Sequence, residues 1–236
     1  MSTTPVKTIA AAAPSHRTPA AQAEALRSPL FHPGVQRWKR AFDILMALAL
    51  GLLALPVGLL LAVAIVLDTR GPVFYTQVRM GKGWRRFRLF KFRSMVENAD
   101  EVLKRHLKEH PDQAIEWESK HKLKNDPRIT RVGRLLRKTS LDELPQLWNV
   151  LRGDMSIVGP RPIVAEEIAK YGPAFSVYSK VQPGLTGLWQ VSGRTDLSYR
   201  RRTELDTEYV RKWSPWLDAK ILLKTVRVVL LGHGAY

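Results

Sequence analysis

The sequence predicts an α/β fold that is mostly helical. It is a small globular domain with a proline-broken, re-entrant membrane helix and amphipathic helices lying at the water–lipid boundary. Three observations predict this. From Ile44 to Leu67 run 24 residues without a charge. Pro56 lies near the middle of that run, and basic residues crowd both of its flanks. The remainder, residues 69–236, holds two strand-like segments among mostly helical patterns.

Residues 1–34 are rich in Ala, Pro, Ser and Thr and lack apolar periodicity. Such a stretch buries too little surface to offset its ordering entropy, so it is expected to be a disordered tail. It has no signal-peptide core either. Residues 35–68 are expected to form the membrane helix. The apolar run is roughly 36 Å long as a helix, enough to cross a hydrocarbon core. Two features argue against a straight crossing. Pro56 removes an interior hydrogen bond and kinks or breaks the helix. Arg37, Lys39 and Arg40 precede the run, and Arg70, Arg79, Lys82, Arg85, Arg86, Arg88, Lys91 and Arg93 follow it. The positive-inside rule wants both flanks on the cytoplasmic side, which a hairpin provides and a single span does not.

Beyond it, GPVFYTQVRMG and RRFRLFKFRSM read as two strands joined by a turn at Gly81 to Gly83. Helical spacing follows over 96–110, stopped by Pro111, and again over about 112–122. Residues 163–180 and 197–213 also read as helices. The last segment, WSPWLDAKILLKTVRVVLL, sets Lys220, Lys224 and Arg227 on one face and Leu222, Val226, Val229 and Leu230 on another, with Trp213 and Trp216 at its start. That pattern suits a helix in the headgroup zone.

Lys plus Arg number 38 against 21 acidic residues, a formal charge of +17. A surplus of this size points to an anionic partner: nucleic acid, a membrane surface or a polyanionic substrate. The absence of Cys excludes disulfides and thiolate zinc sites. The six histidines lack metal-ligand spacing. No helix-turn-helix, RNP or zinc pattern supports nucleic-acid binding. The D-x-D motif of many metal-dependent glycosyltransferases is also missing.

The stretch TSLDELPQLWNVLRGDMSIVGPRP carries the chemistry. Ser140 to Glu143 fits a helix capping box. Alternatively Asp142 is the N-cap, which puts Pro145 in the first turn, where its missing donor costs nothing. Asp142 would then be an ionised carboxylate oriented by a helix end, able to attack phosphorus. The adjacent Glu143 would repel it unless a cation intervened, and Mg2+ is held by one or two carboxylates plus substrate phosphates. Lys91, Arg93, Arg128, Arg131, Arg134, Arg137 and Arg161 then read as partners for a diphosphate.

KRAFDI, GPVFYTQVRMG, KFRSM, DPRITRVGRLLRKTSLDELPQLWNVLRGDMSIVGPRP and PGLTGLWQVSGR occur in this order. On these motifs, from about Lys39 to Tyr236, the chain resembles the bacterial sugar transferases that are monotopic polyprenyl-phosphate phosphoglycosyl transferases. Its short form, LWQVSGR and the terminal GHGAY are most similar to the exopolysaccharide-type galactose phosphotransferases. The resemblance implies transfer of a hexose 1-phosphate from a UDP-sugar, UDP-galactose or UDP-glucose, to undecaprenyl phosphate with release of UMP. The route is ping-pong through a phosphosugar on Asp142, with Glu143 assisting Mg2+, at the cytoplasmic face of the bacterial inner membrane. It further implies that Lys91 and Arg137 line the diphosphate site and that Pro160, Arg161 and Pro162 belong to the nucleotide end. Arg194 and Asp206 follow as further site residues. Leu55 stands where a Ser often precedes the helix-breaking proline. The implied partners are the UDP-sugar, the polyprenyl phosphate and membrane lipid, with no nucleic acid and a homodimer left open. The rival readings are a non-enzymatic basic membrane protein and a metal-dependent nucleotide-sugar glycosyltransferase.

Overall fold

The computed structural model describes residues 27–120, 123–193 and 197–231. In chain order the elements are α1 (Pro33–Asp68), the strands β1 (Phe74–Met80) and β2 (Arg86–Phe92), then α2 (Ala99–Glu109), α3 (Pro111–Lys120), α4 (Arg131–Thr139) and α5 (Gln146–Arg152). Strand β3 (Ser156–Val158), the one-turn helices α6 (Ile168–Tyr171) and α7 (Phe175–Tyr178), strand β4 (Gly184–Thr186), α8 (Tyr199–Arg211) and α9 (Pro215–Leu231) complete the fold. The α/β, mostly helical class holds. The strands form two separate pairs: β1 and β2 antiparallel, β3 and β4 parallel.

Helix α1 is long and apolar enough to cross a membrane. From Leu48 to Leu60 no residue is buried, and Leu52, Leu53 and Leu60 are each more than 70% exposed. An apolar helix exposed all round is at home in lipid, not in water. Its two ends, by contrast, pack on the domain. Near the start, Ala47 joins the main core with Leu147, Val150 and Ile157, while Leu61 and Ile65 pack with Phe92 and Leu136. The helix does not end at Pro56, where the sequence suggested a break: α1 continues through it over 36 residues. A proline deletes one backbone donor, and the bonds of the neighbouring turns hold the helix across the gap.

Two of the three basic residues before the apolar run are hooks rather than membrane markers. Lys39 Nζ donates to Asp218 Oδ2 at 2.7 Å, and the guanidinium of Arg40 binds the carbonyls of Val150 and Leu151. Asp43, three residues on, accepts from Ser156 Oγ and Ile157 N, both at 3.0 Å. At the far end, buried Arg93 donates to the carbonyls of Thr69 and Arg70, each at 2.8 Å. Thr69 is the C-cap of α1, so Arg93 supplies a donor to a carbonyl at the helix end, where intrahelical partners run out.

Other expectations change in detail. Residues 27–34, assigned to the tail, pack: Leu30 is buried in the main core and the Ser28 hydroxyl donates to the Val210 carbonyl. The rest of the expected tail lies outside the described residues. The helix expected over 163–180 is divided into single turns at Gly172 (φ 52°) and Pro173, a pair that cannot continue a helix. On α9, Trp216, Leu223 and Val226 are exposed as an interfacial helix requires, but Trp213 is buried. Its indole N–H donates to Asp218 at 3.1 Å, and the Tyr209 hydroxyl donates to the same carboxylate at 2.8 Å. With Lys39 included, Asp218 ties α1, α8 and α9 together, and a buried acid with three donors is a satisfied one.

Candidate active site

Helix α4 ends at Ser140, which adopts a left-handed conformation (φ 58°, ψ 17°). A non-glycine residue there costs about 1–2 kcal/mol. The turn redirects the chain into a single 3-10 turn, Leu141–Glu143, that carries both acids. Neither capping arrangement expected from the sequence forms. The Ser140 side chain makes no capping bond, and Asp142 sits inside the 3-10 turn rather than before α5, whose N-cap is Pro145. The left-handed Ser140 uncouples the acids from the helix start, so Pro145 occupies the junction without loss of a needed donor.

Asp142 is 8% exposed and therefore largely desolvated. Across from it on β2, Lys91 Nζ lies 2.8 Å from Glu143 Oε1 and 3.3 Å from Asp142 Oδ2. One ammonium thus bridges adjacent carboxylates that would otherwise repel each other. Burial pushes the Asp142 carboxyl above the ordinary carboxylate range, and Glu143 adds to the rise, while Lys91 and Arg137 oppose it. The two acids outweigh burial at Lys91 and hold its ammonium above the usual lysine value. A carboxylate of raised basicity that keeps a counter-charge is well suited to nucleophilic attack.

Two contacts fix this geometry, and the sequence flagged neither. Asn149 is wholly buried on α5; its carbonyl accepts from Phe90 N at 3.0 Å and its amide donates to the Arg88 carbonyl at 2.7 Å. It pairs the outer edge of β2 and so sets Lys91 against the acids one turn upstream. A lone Asn among apolar neighbours in LWNVL was the available signal. Ser94 accepts from Arg137 Nε at 2.9 Å, orienting a guanidinium whose charge acts on Asp142. Gly133 permits this approach of α4, since a Cβ there would lie 2.0 Å from the Ser94 carbonyl oxygen.

Pro160 and Pro162 are buried and Arg161 between them is exposed, so the prolines anchor a loop that presents the guanidinium. Gly159 and Gly184 touch backbone to backbone below it; a Cβ on Gly184 would stand 2.1 Å from Gly159 N. Met80 N donates to the Ile163 carbonyl at 2.8 Å and Arg79 reaches the Pro162 carbonyl at 3.4 Å, joining the loop to β1. Arg161 and Arg202 flank the Trp189 ring, 5.4 and 5.0 Å from its centroid. The charge of Arg161 acts on both Lys91 and Asp206. Asp206 itself is fully buried, accepts from the Tyr171 hydroxyl at 2.6 Å, and is raised by burial to about 7. A hydrogen bond from the Arg161 backbone N–H ties its carboxylate to the loop.

The other expected diphosphate partners separate. Arg93 is spent on α1, and Arg128 pairs with Asp126 at 2.6 Å. Arg131 and Arg134 are exposed on α4. Arg194 lies outside the described residues. Among the described residues no three acidic or histidine side chains gather to hold a metal. Two adjacent carboxylates with an open side nevertheless fit Mg2+, which takes most of its ligands from water and substrate phosphate.

An apolar, exposed helix that grips a helical domain at both ends, beside a cation-bridged acid pair, has the make-up of a membrane-associated group-transfer protein. The chain belongs to the bacterial sugar transferase family, whose model matches residues 35–232. It is 50% identical over 198 residues to the UDP-galactose-lipid carrier transferase of Erwinia amylovora and 51% identical over 198 residues to the undecaprenyl-phosphate galactose phosphotransferase of Salmonella typhimurium. Each match covers 84% of this chain, and the chain spans about two-fifths (41%) of either relative. With the exopolysaccharide production protein ExoY of Rhizobium meliloti it shares 48% identity over 84% of this chain and 88% of that one.

Proposed function

We propose that the protein transfers a hexose 1-phosphate from a UDP-sugar to undecaprenyl phosphate, releasing UMP, as a membrane step of exopolysaccharide or other surface-glycan synthesis. The observation that carries this reading is the Lys91-bridged pair Asp142 and Glu143, placed in the family's motif. An Asp142 carboxylate oxygen attacks the sugar-bearing phosphorus; the bond from that phosphorus to the UMP oxygen breaks, and UMP leaves with the electron pair. A phosphate oxygen of the polyprenyl carrier then attacks the same phosphorus, breaking its bond to Asp142 and restoring the carboxylate. Lys91, Arg137 and Arg161 neutralise the phosphates, whose charge is spread over their oxygens in the transition state. Glu143, with Asp142 beside it, would hold Mg2+, which when bound adds charge neutralisation at the diphosphate. The names of the relatives at 50–51% identity favour galactose as the sugar.

The place of α1 supports a re-entrant arrangement on the cytoplasmic face of the inner membrane. Both ends pack on one domain while the middle is exposed, so a soluble donor and a lipid acceptor meet one site. Incubation of the protein with UDP-galactose and Mg2+ in the absence of lipid tests the covalent step. Mass spectrometry is expected to place a hexose phosphate on Asp142 of the native chain and none on Asp142→Asn. Full turnover by Asp142→Asn would remove Asp142 as nucleophile.

A further inference from the structure

Between the first turns of α1 and the turn that joins β1 to β2 lies a cavity of about 490 Å³. Arg37, Lys39, Arg40, Lys82 and Lys180 line it, with Asp43 as its single acid. Part of this charge is already used. Lys39 pairs with Asp218, Arg40 with two carbonyls, and Asp43 accepts from Ser156 and Ile157. Arg37, Lys82 and Lys180 have no carboxylate partner among the described residues. The Lys82 ammonium donates to the Gln36 amide oxygen at 2.8 Å, and Lys180 stands 5.4 Å over the Phe31 ring. A second opening of about 440 Å³ continues past the same two lysines. Burial lowers the Lys82 pKa, and an anion beside it would counter that shift by favouring the ammonium.

The level of the cavity narrows the choice of anion. Arg37 precedes Leu45, which is 68% exposed at the start of the lipid-facing stretch. Eight residues of helix put Arg37 about 12 Å outside that point. Trp38, 51% exposed and stacked on Phe42, marks the same depth, where amphipathic aromatics settle at headgroups. The site is also remote from the acid pair. Lys82 lies at the turn end of the hairpin and Lys91 at the other end of β2, roughly 17 Å along the strand from Arg86.

We propose that this cavity binds the phosphate of an anionic phospholipid, with Lys82, Lys180 and Arg37 as its ligands. The chemistry recognised is a phosphate ester, which a soluble phosphate could also supply, so the test separates the two sources. The full chain in neutral detergent is titrated with phosphatidylglycerol, with phosphatidylcholine and with glycerol 3-phosphate, and bound adducts are counted by native mass spectrometry. Phosphatidylglycerol is expected to bind wild type and Asp142→Asn alike, and Lys82→Gln/Lys180→Gln roughly tenfold or more weakly, on the scale of two lost basic residues at a membrane surface. Phosphatidylcholine is expected not to distinguish the variants. Arg37→Gln, on an exposed position, gives an independent and smaller loss, and unchanged melting of all variants shows that they are folded.

Equal binding of phosphatidylglycerol by wild type and the lysine double variant overturns the proposal. Loss of binding in Asp142→Asn would place the lipid at the acid pair and overturns it too. Glycerol 3-phosphate binding as tightly as the lipid would overturn the phospholipid assignment.

Discussion

Replacing Lys91 by Met removes the cation that bridges Asp142 and Glu143, and the consequence can be worked from the distances. At 3.3 Å, unit charges attract by about 1.3 kcal/mol in bulk water and about 5 kcal/mol at an effective dielectric near 20. The Lys91 side chain is 26% exposed, so solvent screening favours the lower part of that range, about 1.5–3 kcal/mol. Burial already holds that carboxyl above its ordinary range, and Lys91 opposes the rise, so losing Lys91 lifts it further. Attack requires the ionised form. The acid limb of kcat/KM for UMP release is therefore expected to move to higher pH. Lys91→Met should also melt lower than wild type at neutral pH, the gap narrowing as the acids become protonated. A variant that is merely slower, with its acid limb where wild type has it, would refute this reasoning and make Lys91 a ligand of substrate phosphate alone.

Arg93→Met leaves the Thr69 and Arg70 carbonyls without their donors, and thermal unfolding in detergent should show a loss of about 2–4 kcal/mol. Asp206 is raised from 3.8 to about 7 in the folded protein, so the fold holds an extra proton between those values and loses stability as pH rises through that window. Asp206→Asn should flatten the dependence, which amounts to on the order of 4 kcal/mol in wild type; parallel profiles would contradict the assignment. With no native cysteine, Arg37→Cys and Arg70→Cys can be labelled singly in intact cells and inverted vesicles. Both should react from the cytoplasmic side, and labelling from opposite sides would establish a straight span.

Much of the molecule could be read because its signals are contiguous. The charge-free run from Ile44 to Leu67, the two strands around Gly81 to Gly83 and the stop at Pro111 are local patterns of hydropathy and backbone freedom, legible without knowledge of distant partners. Asp142 and Glu143 could likewise be singled out, because adjacent acids in so basic a chain demand a cation. Their carrier could not: only the fold shows a left-handed Ser140 and a 3-10 turn in place of a capped helix.

What the sequence by itself determined, then, is which segments are apolar, which are helical or extended, and where the adjacent carboxylates stand. The tertiary structure alone decided how the abundant positive charges are divided. Lys39 meets Asp218 179 residues away, Arg40 the carbonyls of Val150 and Leu151, Arg93 the end of the membrane helix, and Lys91 the acid pair 51 and 52 residues on. A Lys or Arg carries the same charge wherever it stands, and its partner is set by which backbone and carboxylate groups folding brings within about 3 Å. Hydropathy repeats along the chain; that choice of partner does not.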